Sequence, residues 1–96
     1  MSEFQALHIP PEAFEKGGVE VLRAAIIEQG LHVSLQRAFD DPATWGIMLA
    51  DIARHVSRMY AAETGADEAE IVNEIRRLFI AEFDNPTDTG TTSAKS

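Results

Sequence analysis

Leu31-His32-Val33-Ser34-Leu35 alternates apolar and polar side chains, the pattern of a strand with one dry and one wet face, and Asp41-Pro42 follows it as a helix opening. These two signals decide the fold. Upstream, Val19 to Ile27 is a β-branched and aliphatic run, and the Gln29-Gly30 break joins it to the later strand through a connection of about three residues, as a β-hairpin. Leu31, Val33 and Leu35 share one face of the later strand, and His32, Ser34 and Gln36 the other. The earlier strand divides into Leu22, Ala24 and Ile26 against Val19, Val21, Arg23, Ala25 and Ile27, so both of its faces are mostly apolar.

Downstream, Asp at the N-cap and Pro at the first helical position start a long helix. At 100° per residue, Trp45, Met48, Leu49, Ile52, Ala53, Val56, Met59 and Tyr60 fall within roughly 140° of arc. Asp51, Arg54, His55 and Arg58 lie outside it. The helix is expected to stop near Thr64, with Gly65 as its cap. Asp67 and Glu70 have the spacing of a capping box, and Ile71, Val72, Ile75, Leu78, Phe79, Ile80 and Phe83 mark a second long helix that Asp84-Asn85-Pro86 ends. The fold class is therefore α+β: a small antiparallel hairpin followed by two antiparallel helices packed on one sheet face. Ala6 to Ile9 is a candidate third edge strand. Pro10-Pro11 and Glu12 to Lys16 form a single helical turn ended by Gly17-Gly18. Residues 1–86 read as one domain, frayed over 1–5, and 87–96 as a disordered polar tail.

Composition narrows the function. The chain has 96 residues, 16 acids against 8 bases, a formal charge of −8 and no cysteine. That charge disfavours nucleic acid and anionic membranes, and no apolar run reaches the ~18–20 residues of a membrane span. Absent cysteine excludes disulfides and thiolate metal sites and suits the cytoplasm. Met1-Ser2-Glu3-Phe4 lacks the basic flank and apolar core of a secretion signal. No phosphate loop, zinc-protease or nucleophile-elbow motif occurs, so no catalytic residue, metal or cofactor is assigned and an enzyme is not the favoured reading.

The remaining polar candidates are His32, Arg54, His55 and Arg58. Asp51 and His55 are i,i+4 and within reach of a hydrogen bond, and Arg54 and Arg58 could grip an anion. A cleft formed by His32, Arg54 and His55 would make a small enzyme or ligand sensor, provided the polar strand face meets the helix. Glu63, Asp67, Glu68, Glu70 and Glu74 cluster without a base, which suits a helix N-terminus better than a cation site.

The larger signal is surplus apolar surface. The second long helix spreads its large apolar residues over roughly 200°, where one sheet and one neighbour need about 100° or somewhat more. Ile47 stands outside its own core arc, beside a stripe of small residues, Gly46, Ala50, Ala53, Ser57 and Ala61, over which another element could approach. Each large side chain left exposed forfeits ~1.5–3 kcal/mol. With the first strand apolar on both faces, these features point to a homodimer, the commonest assembly, built through the last helix, the open sheet face, or both, with Ile47, Val72, Phe79, Ile80 and Phe83 as interface candidates and a protein or small acyl-like ligand as a further candidate partner. The competing expectation is a monomer in which Pro10 to Phe14 wraps over the same surface.

The string Leu31-His32-Val33-Ser34-Leu35, followed by Asp41-Pro42-Ala43-Thr44-Trp45-Gly46-Ile47-Met48-Leu49-Ala50-Asp51-Ile52-Ala53-Arg54-His55-Val56, resembles a family of short uncharacterised bacterial proteins, mainly alphaproteobacterial, a domain of unknown function. Ile9-Pro10-Pro11 and Val19-Glu20-Val21-Leu22-Arg23 extend the likeness over roughly residues 6–86. The resemblance implies a small cytoplasmic α+β protein and transfers no catalytic or binding residue.

Overall fold

The computed structural model describes residues 3–87 and 90–95. The hairpin consists of β1 (Leu22–Ile27) and β2 (Gly30–Gln36), paired antiparallel from Leu22↔Leu35 to Ile27↔Gly30. Gly30 therefore opens β2 rather than belonging to the turn, and Glu28 and Gln29 alone reverse the chain, at φ 50° and 69°. Two successive left-handed residues make the turn that matches strand twist, and Asn-Gly suits it best. A Glu-Gln pair carries Cβ strain there. The double substitution Glu28→Asn with Gln29→Gly is expected to raise unfolding stability by about 1 kcal/mol, read as a higher urea midpoint at fixed protein concentration.

The register sorts the sheet into unlike faces, because directly paired residues point the same way. One face holds Leu22, Ala24 and Ile26 beside Leu35, Val33 and Leu31. The other holds Arg23, Ala25 and Ile27 beside Ser34, His32 and Gly30. The alternation expected for Leu31 to Leu35 is the one observed.

The third strand is not where the sequence suggested. Ala6 to Ile9 has no regular structure, and Leu7 is 92% exposed. Instead β3 (Thr91–Lys95) pairs parallel with β2, from His32↔Thr91 to Gln36↔Lys95, giving a mixed sheet in the order β1-β2-β3. The tail expected to be disordered from Thr87 thus contributes a strand, while 88, 89 and 96 lie outside the described residues. Its pairing is a backbone ladder that buries no large apolar side chain, so composition does not announce it. Gly90 leads into it at φ 71°, where a Cβ would stand 2.7 Å from the Leu31 carbonyl oxygen. That combination requires glycine.

At the amino end, α1 (Pro11–Lys16) has Pro in its first turn and stops at Gly17. The long helices are α2 (Thr44–Thr64) and α3 (Glu68–Asp84). α2 starts two residues later than expected, with Ala43 rather than Asp41 at its N-cap and Pro42 ahead of the helix, because a tighter turn precedes it: the Asp41 carboxylate accepts the Ala43 N–H at 2.9 Å, and Thr44, Trp45 and Gly46 donate to the carbonyls three residues back. Gly65 caps α2 in the left-handed region (φ 78°), donating to the Ala61 carbonyl at 2.9 Å. Asp67 occupies the N-cap of α3, but its side chain makes no capping bond, so the expected capping box is not formed.

α2 and α3 pack on each other, and neither approaches a strand closely. The fold class stands; the expected helix-on-sheet layer is not closed within one chain. Among the described residues no apolar side chain is buried, and Ser57, in the α2–α3 seam, is the one residue without exposed surface. The radius of gyration is 15.4 Å, against about 12.5 Å for a compact chain of this length.

Candidate interaction surface

Two faces run along α2 and they have different partners. Gly46, Ala50, Ser57 and Ala61 lie on a strip about 60° wide, with Ala53 at its edge. The burial of Ser57 and partial burial of Ala53 and Ala61 place α3 over that strip. Short side chains let the helices come close, and the Ser57 hydroxyl satisfies itself by donating to the Ala53 carbonyl at 2.8 Å. The small-residue stripe is thus the seat of the chain's own α3, which sits there through Ile71, Val72 and Ile75, all half-buried.

The adjoining face carries the large residues. Leu49, Ile52, Met59 and Tyr60 are all exposed, and Met48 and Val56 are only half-buried. Trp45, half-buried, meets Phe39 edge-on with ring centroids 5.6 Å apart. Between Trp45 and Tyr60 no charged residue falls within this arc, and Glu63 enters it one turn further on: Asp51, Arg54 and Arg58 lie on the far side, and His55 just beyond its edge. The apolar sheet face is equally bare, with Ile26 72% and Leu31 44% exposed. Sequence reasoning placed the α2 residues in a monomer core. The signal against that was the small-residue stripe beside the arc, which already provides the seat one neighbouring helix needs.

Among the interface candidates, Ile47 is 66%, Phe79 47%, Ile80 55% and Phe83 74% exposed, while Val72 is half-buried against α2. Phe79 and Phe83 stack edge-on at 4.9 Å on the second half of α3. Pro10 to Phe14 does not wrap over the helices, and Phe14 itself is exposed.

The polar candidates are not brought together. His32, half-buried on the mixed sheet face, lines a shallow cavity of about 160 Å³ with Phe4, Arg23, Ile27 and Ser34. Arg54 and His55 are exposed on α2. The Asp51 carboxylate pairs with Arg54 at 3.7 Å rather than with His55, and Arg58 reaches Glu68 across the α2–α3 turn at 3.9 Å. On α3, Arg77 donates to Glu74 at 2.8 Å, and this bond holds the guanidinium above its usual pKa. These exposed pairs contribute little stability. Among the described residues no three His, Asp or Glu side chains could hold a metal ion, and no helix is long and apolar enough to cross a membrane.

Comparison with known proteins gives a family and a solved relative. No curated protein matches it. A solved structure from the photosynthetic bacterium Rhodopseudomonas palustrus CGA009, whose provisional name is pyruvate dehydrogenase, is 39% identical, and the likeness covers 100% of both chains at a TM-score of 0.75. The model of DUF5076, a domain of unknown function, matches residues 6–87, and the chain belongs to that family.

Proposed function

We propose that this protein is a non-enzymatic interaction module whose working form is a homodimer. One observation carries the reading. A folded monomer of 10.5 kDa is expected to expose about 5,400 Å², whereas this chain exposes 8541 Å². The excess, about 3,100 Å² per chain or about 6,200 Å² for a pair, falls at the large end of what obligate dimers bury, whose interfaces run from about 2,000 to 5,000 Å² or more in total. A second copy suits it because the same chain carries two kinds of bare apolar face, one flat and one ridged, and two-fold symmetry lets each copy answer the other. The full-length likeness to a solved chain supports treating this open arrangement as a property of the sequence.

A cleft of His32, Arg54 and His55 gains no support from this assembly. His32 is on the sheet face opposite the apolar one, so elements that cover the apolar face leave it on the far side.

Size-exclusion chromatography with light scattering at micromolar concentration is expected to give twice the 10.5 kDa chain mass. A folded particle of single-chain mass would overturn the reading.

A further inference from the structure

The geometry points to an exchanged dimer, in which the α2–α3 hairpin of each copy covers the apolar sheet face of the other. The inference rests on the homodimer reading and specifies how the two copies meet.

An amphipathic helix and a half-apolar sheet bury their faces on one another when they can. Here both faces exist in one chain and remain apart. The segment between them is ordered at its α2 end: Asp41 is bonded to the Ala43 N–H, three turn bonds follow in succession, Pro42 has a fixed φ, and Phe39 meets Trp45 edge-on. Receiving a neighbour's helices undoes none of these contacts.

The receiving site already has the right shape. Along the N-terminal arm and β1 lies an open trough of about 1370 Å³, lined by Phe4, Leu7 and Ile9 of the arm and by β1 from both of its faces, Leu22, Ala24 and Ile26 on the apolar one and Arg23, Ala25 and Ile27 on the other. A helix about 10 Å across would occupy it for roughly three turns. The exposed face of α2, with Leu49 and Ile52 at its centre, is apolar and free of charge from Trp45 to Tyr60, more than that length, before Glu63 ends it. Exchange of an identical element is a low-cost route to a closed two-fold dimer, and it uses both bare faces of both chains at once.

Isotope-filtered NOE spectroscopy tests the arrangement. Labelled and unlabelled full-length chains are unfolded together, mixed in equal amounts and refolded, and their mass is measured in the same buffer. The expected result is a particle of twice the chain mass with methyl cross-peaks between Ile26 or Leu31 of one chain and Leu49 or Ile52 of the other. A dimer whose intermolecular cross-peaks join only helix to helix or sheet to sheet overturns the exchange and leaves the homodimer standing. A single-chain particle overturns both.

Discussion

Ile26→Asp is expected to destabilise the protein by more than about 3 kcal/mol and to shift it from dimer to unfolded or dissociated chain. The argument turns on what the side chain meets in one subunit. Ile26 is 72% exposed there, so a carboxylate at that position would remain in water. It would cost at most the ~1 kcal/mol that a poor strand former costs. A larger effect has to come from the assembled protein. If the apolar sheet face is covered, the substitution removes the burial of an isoleucine, ~1.5–3 kcal/mol. It also buries a charge without a partner, and symmetry imposes both losses twice per dimer. Ile26→Thr separates the contributions, since it keeps the branched, strand-compatible shape without introducing a charge. It should lower stability by less, and leave the dimer populated at high concentration. Urea unfolding at several protein concentrations measures both. A change below about 1 kcal/mol for Ile26→Asp, with no change in mass, would mean the face is as open in solution as it is in one chain.

Legibility of the fold from sequence divides along the same physical line. Local pattern revealed the hairpin, since Leu31, Val33 and Leu35 fall on the face that pairing assigns them. It also revealed the helix boundaries at Gly65 and Asn85, where a left-handed residue and the Asp84-Asn85-Pro86 run leave no continuation. β3 was hidden because its stabilisation is a backbone ladder, and Thr91-Thr92-Ser93-Ala94-Lys95 has no apolar periodicity to announce it. The openness of the chain was hidden for a different reason. An apolar arc such as Leu49–Ile52–Met59 looks the same in sequence whether its cover comes from the same chain or another copy. What sequence could offer was the surplus, and it located that surplus at Ile47, Phe79, Ile80 and Phe83. It also counted both faces of the first strand in that surplus, and missed Leu49 and Ile52, whose exposure depends on where the helices stand rather than on what they are made of.

Ser57→Leu is expected to cost about 1–3 kcal/mol, because Ser57 is the one described residue with no exposed surface and it lies where α2 and α3 touch. The small stripe around it sets the distance between the helices, and a four-carbon side chain in its place must either leave its rotamer well or push α3 away. Displacing α3 also alters the angle at which Phe79 and Phe83 are presented, so the loss should reach any interface that uses them. Ser57→Ala separates size from hydrogen bonding. The hydroxyl it removes was donated to the Ala53 carbonyl, which in a helix still accepts its main-chain N–H. Alanine at this position should therefore change stability by no more than about 0.5 kcal/mol. Circular dichroism melts of the two variants at matched concentration make the comparison. Equal stability for Leu and Ala at position 57 would mean that α3 does not depend on the stripe, and that the α2–α3 hairpin is held by contacts outside it.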